Sequence, residues 1–235
     1  GGKVLSFYDF PDRLKTMLDP PLLLHCLGDD ALLGARSAAV IGTRHPTGYG
    51  QHCACEFGKI LTEQGRVVVS GLALGCDTGG HQGCLDGGGR TIAVLAHGLD
   101  DVYPPENRGL AERIVREGGL LVSEYAVGVP GHRSFFVDRD RIQAALSDIV
   151  IVVQTSIKGG TLHTVGFAEK GCVPVFALEH PGEMMGEEQV QGNLQLLEDG
   201  RATPISPDQE SIFKALSAKI TKTDGAAPPV QGELF

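Results

Sequence analysis

The stretch SAAVIGTR, residues 37–44, contains the pattern that the rest of the chain repeats. Small and β-branched residues run up to Gly42, polar residues follow, and a helical sequence begins near Tyr49. Comparable short runs occur at 67–69, 91–95, 120–122, 149–153 and 173–178. Short runs that are apolar at nearly every position are typical of strands buried on both faces of a parallel sheet.

Helical stretches lie between these runs. In 48–65 the residues Cys53, Phe57, Ile60 and Leu61 recur with the period of an amphipathic helix. Further helices are predicted over 77–86, 106–117, 140–147 and 162–171. The alternation of strands and helices predicts an α/β fold with a mostly parallel sheet and helices on both faces. Ligands in such folds bind beyond the carboxyl ends of the strands.

The composition is that of a folded, acidic protein. The 235 residues are 42% hydrophobic, and the net charge is −9, so a nucleic-acid site must be a local basic patch. No apolar run is long enough to span a membrane, and no secretory signal is evident. The six cysteines lack C-x-x-C spacing, which favours reduced thiols in a cytoplasmic protein without a metal or cofactor.

Changes in sequence character predict three parts. Residues 1–36 are expected to be an N-terminal extension that packs on the core, and residues 37–205 form the α/β domain. Residues 206–235 comprise a weak helix, over about 206–220, and a small, polar, proline-bearing tail.

Two glycine-containing turns are candidates for binding phosphate. Gly42, Thr43 and Arg44 follow the first predicted strand and precede a helix, where free amides and the helix dipole favour an anion. The second turn combines glycines with hydroxyl and basic side chains at a helix start. Its candidate residues are Lys158, Gly160, Thr161 and Thr164. An ordinary strand-to-helix turn with a surface arginine explains the first about as well.

Another turn and a basic, aromatic segment complete the candidates. Ser70 and Gly71 precede Asp77 and His81, which are four residues apart on one helical face and suit either acid–base chemistry or a helix cap. Interleaved rings and guanidinium groups suit single-stranded nucleic acid, although a helix entry with solvated arginines is an equal alternative. The residues concerned are Arg133, Phe135, Phe136, Arg139 and Arg141.

These signatures, taken in order, closely resemble the DNA-processing protein A family, DprA, also called Smf. The matching segments are GTR at 42–44, SGLALGCD at 70–77, TIAVLAHGLDDVYPPEN at 91–107, LVSE at 121–124, FVDRDRI at 136–142, GGTLHT at 159–164, PG at 181–182 and GNLQLLEDG at 192–200. The resemblance covers about residues 7–205.

The resemblance implies an extended Rossmann-like domain that is not an enzyme. Members of the family bind single-stranded DNA, form homodimers and load a RecA-type recombinase during DNA uptake or recombination. Carried over by position, the DNA pocket uses Arg44, Ser70-Gly71, Arg139, Arg141 and 160–164. Its rim would be formed by Asp77, His81, Tyr103, Asn107 and Phe136.

One departure from the family pattern concerns the presumed anion site. The family's Arg-Asn-Arg is Arg139-Asp140-Arg141 here, which places a carboxylate between two guanidinium groups. We expect Asp140 to offset their charge and to weaken phosphate binding.

A rival interpretation is a nucleotide sensor or a phosphoribohydrolase-like enzyme of the wider superfamily. Such enzymes resemble a P-G-G-x-G-T-x-x-E signature, which 159–161 matches in part. No glutamate stands three residues beyond Thr161.

Two partner hypotheses concern the end of the chain. Apolar residues in 172–178 and 193–197 are predicted to lie at a sheet edge that a second copy would cover, giving a homodimer. Gln231, Leu234 and Phe235 resemble the peptide that docks on a bacterial sliding clamp; a frayed tail is the alternative.

Overall fold

The computed structural model describes residues 2–218, in which one sheet of nine strands forms the centre. The strands are β1 Lys3–Ser6, β2 Leu23–Gly28, β3 Ser37–Ile41, β4 Val67–Ser70, β5 Thr91–Leu95, β6 Leu120–Ser123, β7 Ile149–Val152, β8 Val175–Leu178 and β9 Thr203–Ile205. The α-helices are α1 Asp12–Lys15, α2 Gly48–Glu63, α3 Cys76–Asp86, α4 Arg108–Arg116, α5 Arg133–Asp138, α6 Asp140–Leu146, α7 Thr161–Lys170, α8 Glu188–Glu198 and α9 Gln209–Ala218.

The strand order is β1-β2-β6-β5-β4-β3-β7-β8-β9. Strands β3 to β9 are mutually parallel, whereas β2 pairs antiparallel with β6 and β1 antiparallel with β2. The prediction of a mostly parallel α/β sheet is therefore confirmed. The chain winds outward from β3 in one direction and then returns to place β7 on the other side of β3, which creates a topological switch point there.

Helices cover both faces of this sheet. On one face, α2, α3, α4 and α9 pack against the strands through apolar side chains such as Phe57 and Ile114. On the other face, α1, α6, α7 and α8 do so, with Ile142 and Val165 among the buried residues. Because every residue of β3 to β8 is buried, these strands read as continuous apolar runs in the sequence.

The strands that the sequence did not predict lie at the margins of the sheet. Residues 3–28 contribute β1 and β2, which alternate in burial because one face of this sheet edge is less covered. At the opposite margin, the short strand β9 has only Ile205 buried. Strands with so few buried positions lack the apolar run that marks the central strands.

The predicted sheet edge at 172–178 is wrong. Strand β8 lies between β7 and β9, and its side chains Phe176 and Leu178 are buried against the α9 face of the core. In the second segment expected there, Asn193 and Leu196 are also buried. Most of the apolar residues that motivated a homodimer are thus covered within the chain, although Cys172 is exposed and Val173, Leu194 and Leu197 are partly buried.

Among residues 2–218, no helix is both long and apolar enough to cross a membrane.

Helices α2 and α3 cross with their backbones in direct contact. A Cβ atom built on Gly83 would lie 1.9 Å from the carbonyl oxygen of Cys55, and one on Gly58 would lie 2.4 Å from that of Gly80. Neither neighbour is a flexible side chain that could move aside. The glycines therefore fix the depth at which α3 packs, and with it the position of the loop that precedes α3.

We expect Gly83→Ala to lower the free energy of unfolding by about 2 kcal/mol or more, because the added methyl group forces the two helix backbones apart. Gly109→Ala is the matched control. Gly109 is also helical, but a Cβ there meets nothing within 4 Å, so helix propensity should stabilise the protein by up to about 1 kcal/mol. Urea unfolding of both variants measures the difference, and equal stabilities would contradict the packing argument.

Candidate nucleic-acid interface

The main cleft lies at the switch point, beyond the carboxyl ends of β3 and β7. Gly42, Thr43 and Arg44 follow β3, and Thr155 and Ser156 follow β7, and all of them line a cavity of about 380 Å³. The start of α7 forms another wall. We call this cavity the inner cleft. The structure thus brings together two of the turns that the sequence placed at separate strand ends.

Buried amide side chains hold the loops around the inner cleft. The backbone N–H of Thr43 donates to the carbonyl oxygen of Gln154 at 2.7 Å, and that of Thr47 donates to the Gln154 side-chain oxygen at 2.9 Å. Thr47 in turn caps α2 by accepting from Gly50. Further along, the Asn193 amide joins the ends of β7 and β8 and accepts from the backbone N–H of Thr155 at 2.9 Å. These bonds fix the cleft walls without using any side chain that faces the cleft opening.

A buried guanidinium group forms the floor of the inner cleft. Arg139 donates from Nε to Asp140 Oδ1 at 3.0 Å and from Nη1 to the carbonyl oxygen of Val94 at 2.5 Å. It packs on the bare backbone of Gly71, where a Cβ would lie 1.8 Å from Nη1. On the same floor Asp77 accepts from the backbone N–H of Gly71 at 3.0 Å. The floor therefore contains one cation and two carboxylates.

Burial raises the pKa of both floor carboxyl groups. Desolvation is the main cause for Asp140, where Arg139 opposes it and Asp77 adds to it, and the pKa rises to about 7. The pKa of Asp77 is also raised by burial, against the lowering effects of Arg139 and of backbone hydrogen bonds. Two carboxyl groups beside one buried cation leave the floor without net positive charge as soon as one of them is ionised.

A second, wider cleft of about 940 Å³ adjoins the first, and we call it the outer cleft. The two clefts share Arg44 and Phe136, and the outer cleft adds Arg133 and Lys158. None of the three basic side chains has a carboxylate within 4 Å in the part of the chain that the structure describes. Because they share Arg44 and Phe136, the two clefts together form one continuous groove.

Aromatic rings lie among these cations. The guanidinium carbon of Arg44 is 5.6 Å from the centre of the Phe136 ring. The centre of the Tyr103 ring is 5.7 Å from the centre of the Phe136 ring, and the two rings are tilted relative to each other. Tyr103 is half exposed. The partly exposed Phe136 and Tyr103 rings beside unpaired cations provide what a single-stranded nucleic acid needs, namely surfaces for bases beside partners for phosphates.

Arg141 does not join Arg139 in the groove. Its guanidinium group is bound by both carboxylate oxygens of Glu124, at 2.5 and 2.7 Å, and by Asp19 at 3.0 Å. The expected convergence of the two arginines is therefore wrong, because side chains two residues apart on a helix point in different directions. Asp140 consequently pairs with Arg139 alone and does not lie between two guanidinium groups.

Three further predicted site residues support the clefts from behind. The Ser70 hydroxyl donates to the carbonyl oxygen of Val40, and His81 is fully buried, where desolvation lowers its pKa to about 3. Asn107 donates to the carbonyl oxygen of Leu72 at 2.8 Å, and Leu72 adopts a left-handed backbone conformation. The sequence placed these residues at the pocket or its rim. In the structure Ser70 joins β4 to β3, His81 lies against Thr91 in the core, and only Asn107 holds the loop before Asp77.

The remaining predicted residues face the clefts. The inner cleft is lined by Thr161 and Thr164, the outer by Tyr103 and Lys158, and both by Gly160. Residues that the prediction missed are Gln143, Thr155, Ser156 and His163. Thr155 and Ser156 lie in the loop that follows β7, so the rule that ligands bind at the carboxyl ends of strands could have found them.

Two further points concern a metal site and the predicted clamp-binding residues. Within residues 2–218 no three His, Cys, Asp or Glu side chains are placed to hold a metal ion. The clamp-binding candidates Gln231, Leu234 and Phe235 lie outside the described residues.

The fold and the groove define a class: a Rossmann-like protein whose ligand cleft lies at the switch point of a parallel sheet. A family profile described as "DNA recombination-mediator protein A" matches residues 4–217. The chain belongs to this family, which confirms the resemblance found in the sequence.

Individual relatives agree with this assignment. Protein Smf of Synechocystis is 37% identical over 205 residues, which is 86% of this chain and 50% of that protein. The DNA processing protein DprA of Bacillus subtilis is 36% identical over 90% of this chain and 70% of its own length. This chain thus spans only half the length of the Synechocystis relative.

Solved structures of the family superpose on the chain. DNA processing protein A of Helicobacter pylori, studied for its single-stranded DNA binding mode, has a TM-score of 0.79 at 30% identity, covering 96% of this chain and 97% of that one. DprA of Streptococcus pneumoniae has a TM-score of 0.83 at 32% identity, covering 90% and 73%. A molybdenum cofactor carrier protein from Chlamydomonas reinhardtii, 20% identical with a TM-score of 0.53, shares the fold alone.

We expect Asp140 to make the protein less stable as the pH rises. Its pKa in the folded protein is about 7 against an ordinary value of 3.8, so between these values the folded protein holds a proton that the unfolded chain has released. The contribution of this group to the free energy of unfolding therefore falls from about pH 4 to pH 7.

Urea unfolding at pH 5 and pH 7.5 tests this against Asp140→Asn. The stability of the variant relative to wild type should improve as the pH rises. His81, whose pKa is lowered to about 3, contributes with the opposite sign, but it is present in both proteins and cancels in the comparison. A stability difference that does not change with pH would contradict the assignment.

Proposed function

We propose that the protein binds single-stranded DNA along the continuous groove and acts as a recombination mediator. The observation that carries the proposal is the set of three unpaired cations, Arg44, Arg133 and Lys158, that line the outer cleft together with Phe136, whose ring lies beside Arg44. Phosphates would pair with the cations and a base would stack on the ring. The Helicobacter pylori relative, which covers nearly the same length, supports a single-stranded DNA ligand.

The outer cleft suits the DNA backbone better than the inner cleft does. Its free cations reach the surface, although Asp100 and Asp101 also line this cleft. In the inner cleft the cation of the floor, Arg139, is already bound to Asp140. We therefore place the phosphates at Arg44, Arg133 and Lys158, and not at Arg139 or Arg141 as the sequence suggested.

The wider role follows from family membership and is likewise proposed. In this role the chain would load a RecA-type recombinase, form a homodimer and catalyse no reaction itself. It would then be a mediator that delivers DNA to another protein. The rival phosphoribohydrolase has less support, because Thr164 stands where its signature has a glutamate. Docking of residues 231–235 on a sliding clamp stays a prediction.

We expect the double variant Arg44→Ala with Lys158→Ala to weaken binding of a fluorescent oligothymidylate. Because binding releases counterions, the slope of log affinity against log salt should become shallower by about 0.7 for each phosphate contact removed. Fluorescence anisotropy at several salt concentrations measures both effects. Arg141→Ala is the control, since that arginine is bound to Glu124 and Asp19, and it should leave the salt slope unchanged. Loss of binding in the control alone would place the site elsewhere.

We expect Phe136→Ala to weaken binding with little change in salt dependence. Stacking of a base on an aromatic ring contributes about 1–3 kcal/mol, corresponding to roughly five- to 150-fold in affinity, and depends little on ionic strength. Phe213→Ala serves as control, because Phe213 is an exposed ring on α9, away from both clefts. The same anisotropy titration applies, and equal affinities of the two variants would rule out stacking at Phe136.

A further inference from the structure

We propose that the inner cleft takes one base of the bound strand and selects guanine through the carboxylate of Asp140. The inference rests on the proposed function, and it adds a base preference that the phosphate contacts of the outer cleft do not provide.

The charge of the cleft floor argues against a phosphate there. Arg139 is the one cation within 4 Å of the Asp140 carboxylate in the described part of the chain, and the same guanidinium group faces Asp77. With both carboxyl groups ionised the floor carries an excess negative charge. A buried site of this kind favours a ligand that donates hydrogen bonds.

The Asp140 carboxylate retains capacity to accept such bonds. An ionised carboxylate offers about four acceptor positions. One is occupied by Nε of Arg139 at 3.0 Å and another by the hydroxyl group of Thr164. Asp140 lines the inner cleft, so the remaining positions are available to a ligand inside it.

Guanine is the base whose pairing edge matches this acceptor. It presents two neighbouring donors, the ring N1–H and the exocyclic N2–H, which can bind both oxygens of one carboxylate. Adenine, cytosine and thymine each place an acceptor beside their donor on that edge, and a carboxylate repels it. Hydroxyl groups of Ser156 and Thr161 on the cleft walls can donate to the guanine carbonyl oxygen.

The cleft is also placed to receive a base from the groove. Its volume of about 380 Å³ exceeds that of a single base, and it opens into the outer cleft past Arg44 and Phe136, which line both. A strand whose phosphates lie in the outer cleft can therefore turn one unstacked base inward, as is usual in the recognition of single strands.

The first experiment compares bases on the wild-type protein. Pentanucleotides of thymidine with guanine, adenine, cytosine or thymine at the centre are titrated by anisotropy, and guanosine, adenosine, cytidine and thymidine monophosphates are tested as competitors. We expect guanosine monophosphate to compete about fivefold better than the others. The guanine pentamer should bind about twofold tighter than the all-thymine one, since only one of its bases is favoured.

Two variants then test whether the Asp140 carboxylate causes the preference for guanine. Asp140→Asn presents one acceptor and one donor, so the preference for guanine should disappear while thymine pentamers bind as well as before or more tightly. Asp101→Asn is the matched control: it removes a carboxylate of the outer cleft and should leave the base preference unchanged.

The pH dependence of the wild type gives a second readout if Asp140→Asn does not fold. The groups that face Asp140 are Arg139 immediately before α6, Asp77 on α3 and the Thr164 hydroxyl on α7. Burial raises the pKa of both carboxyl groups, so protonation at pH 6 removes acceptor positions. The preference for guanine should be larger at pH 8 than at pH 6.

The outcomes separate this inference from the proposed function. If all pentamers bind equally, the guanine site is overturned and the DNA-binding function stands. If guanosine monophosphate binds and no pentamer does, DNA binding is overturned and the site serves a free guanine nucleotide. A preference that persists unchanged in Asp140→Asn excludes Asp140 as its cause.

Discussion

The buried guanidinium group of Arg139 is the contact on which the site depends. It connects the carbonyl oxygen of Val94 in β5 with Asp140 at the start of α6, and it packs on Gly71 at the end of β4. A buried charge is tolerated only when it is paired and hydrogen-bonded, so each of these neighbours is constrained. Gly71 must lack a side chain, and carboxylates must lie beside the guanidinium group.

This constraint divides the groove into two chemically different clefts. Because Arg139 is bound to Asp140, it cannot act as a free cation for a ligand, and the floor of the inner cleft is polar but not basic. The free positive charge lies farther out, at Arg44, Arg133 and Lys158. A single strand lying across both clefts would therefore meet phosphate partners outside and hydrogen-bond acceptors inside, which permits base selection.

The sequence predicted the centre of the fold well and the site less completely. Strands buried on both faces, such as β3 and β7, leave continuous apolar runs, whereas β1 and β9 leave none. Arg44 and Thr161 were predicted because they directly follow strands or begin helices. The directions of Arg139 and Arg141 could not be predicted, since they depend on the precise phase of a helix and on partners as distant in sequence as Asp19.

Ion pairs between arginines and carboxylates explain how an acidic chain can still offer free cations to a nucleic acid. The net charge is −9, yet many of its arginines are paired: Arg113 with Asp86 and Glu117, and Arg201 with Glu169. An arginine that is paired with a carboxylate binds a phosphate less strongly, because the carboxylate competes for the same donors. Arg44, Arg133 and Lys158 lack such partners within residues 2–218, so the DNA affinity that we propose would depend on where cations are left unpaired and not on the total charge.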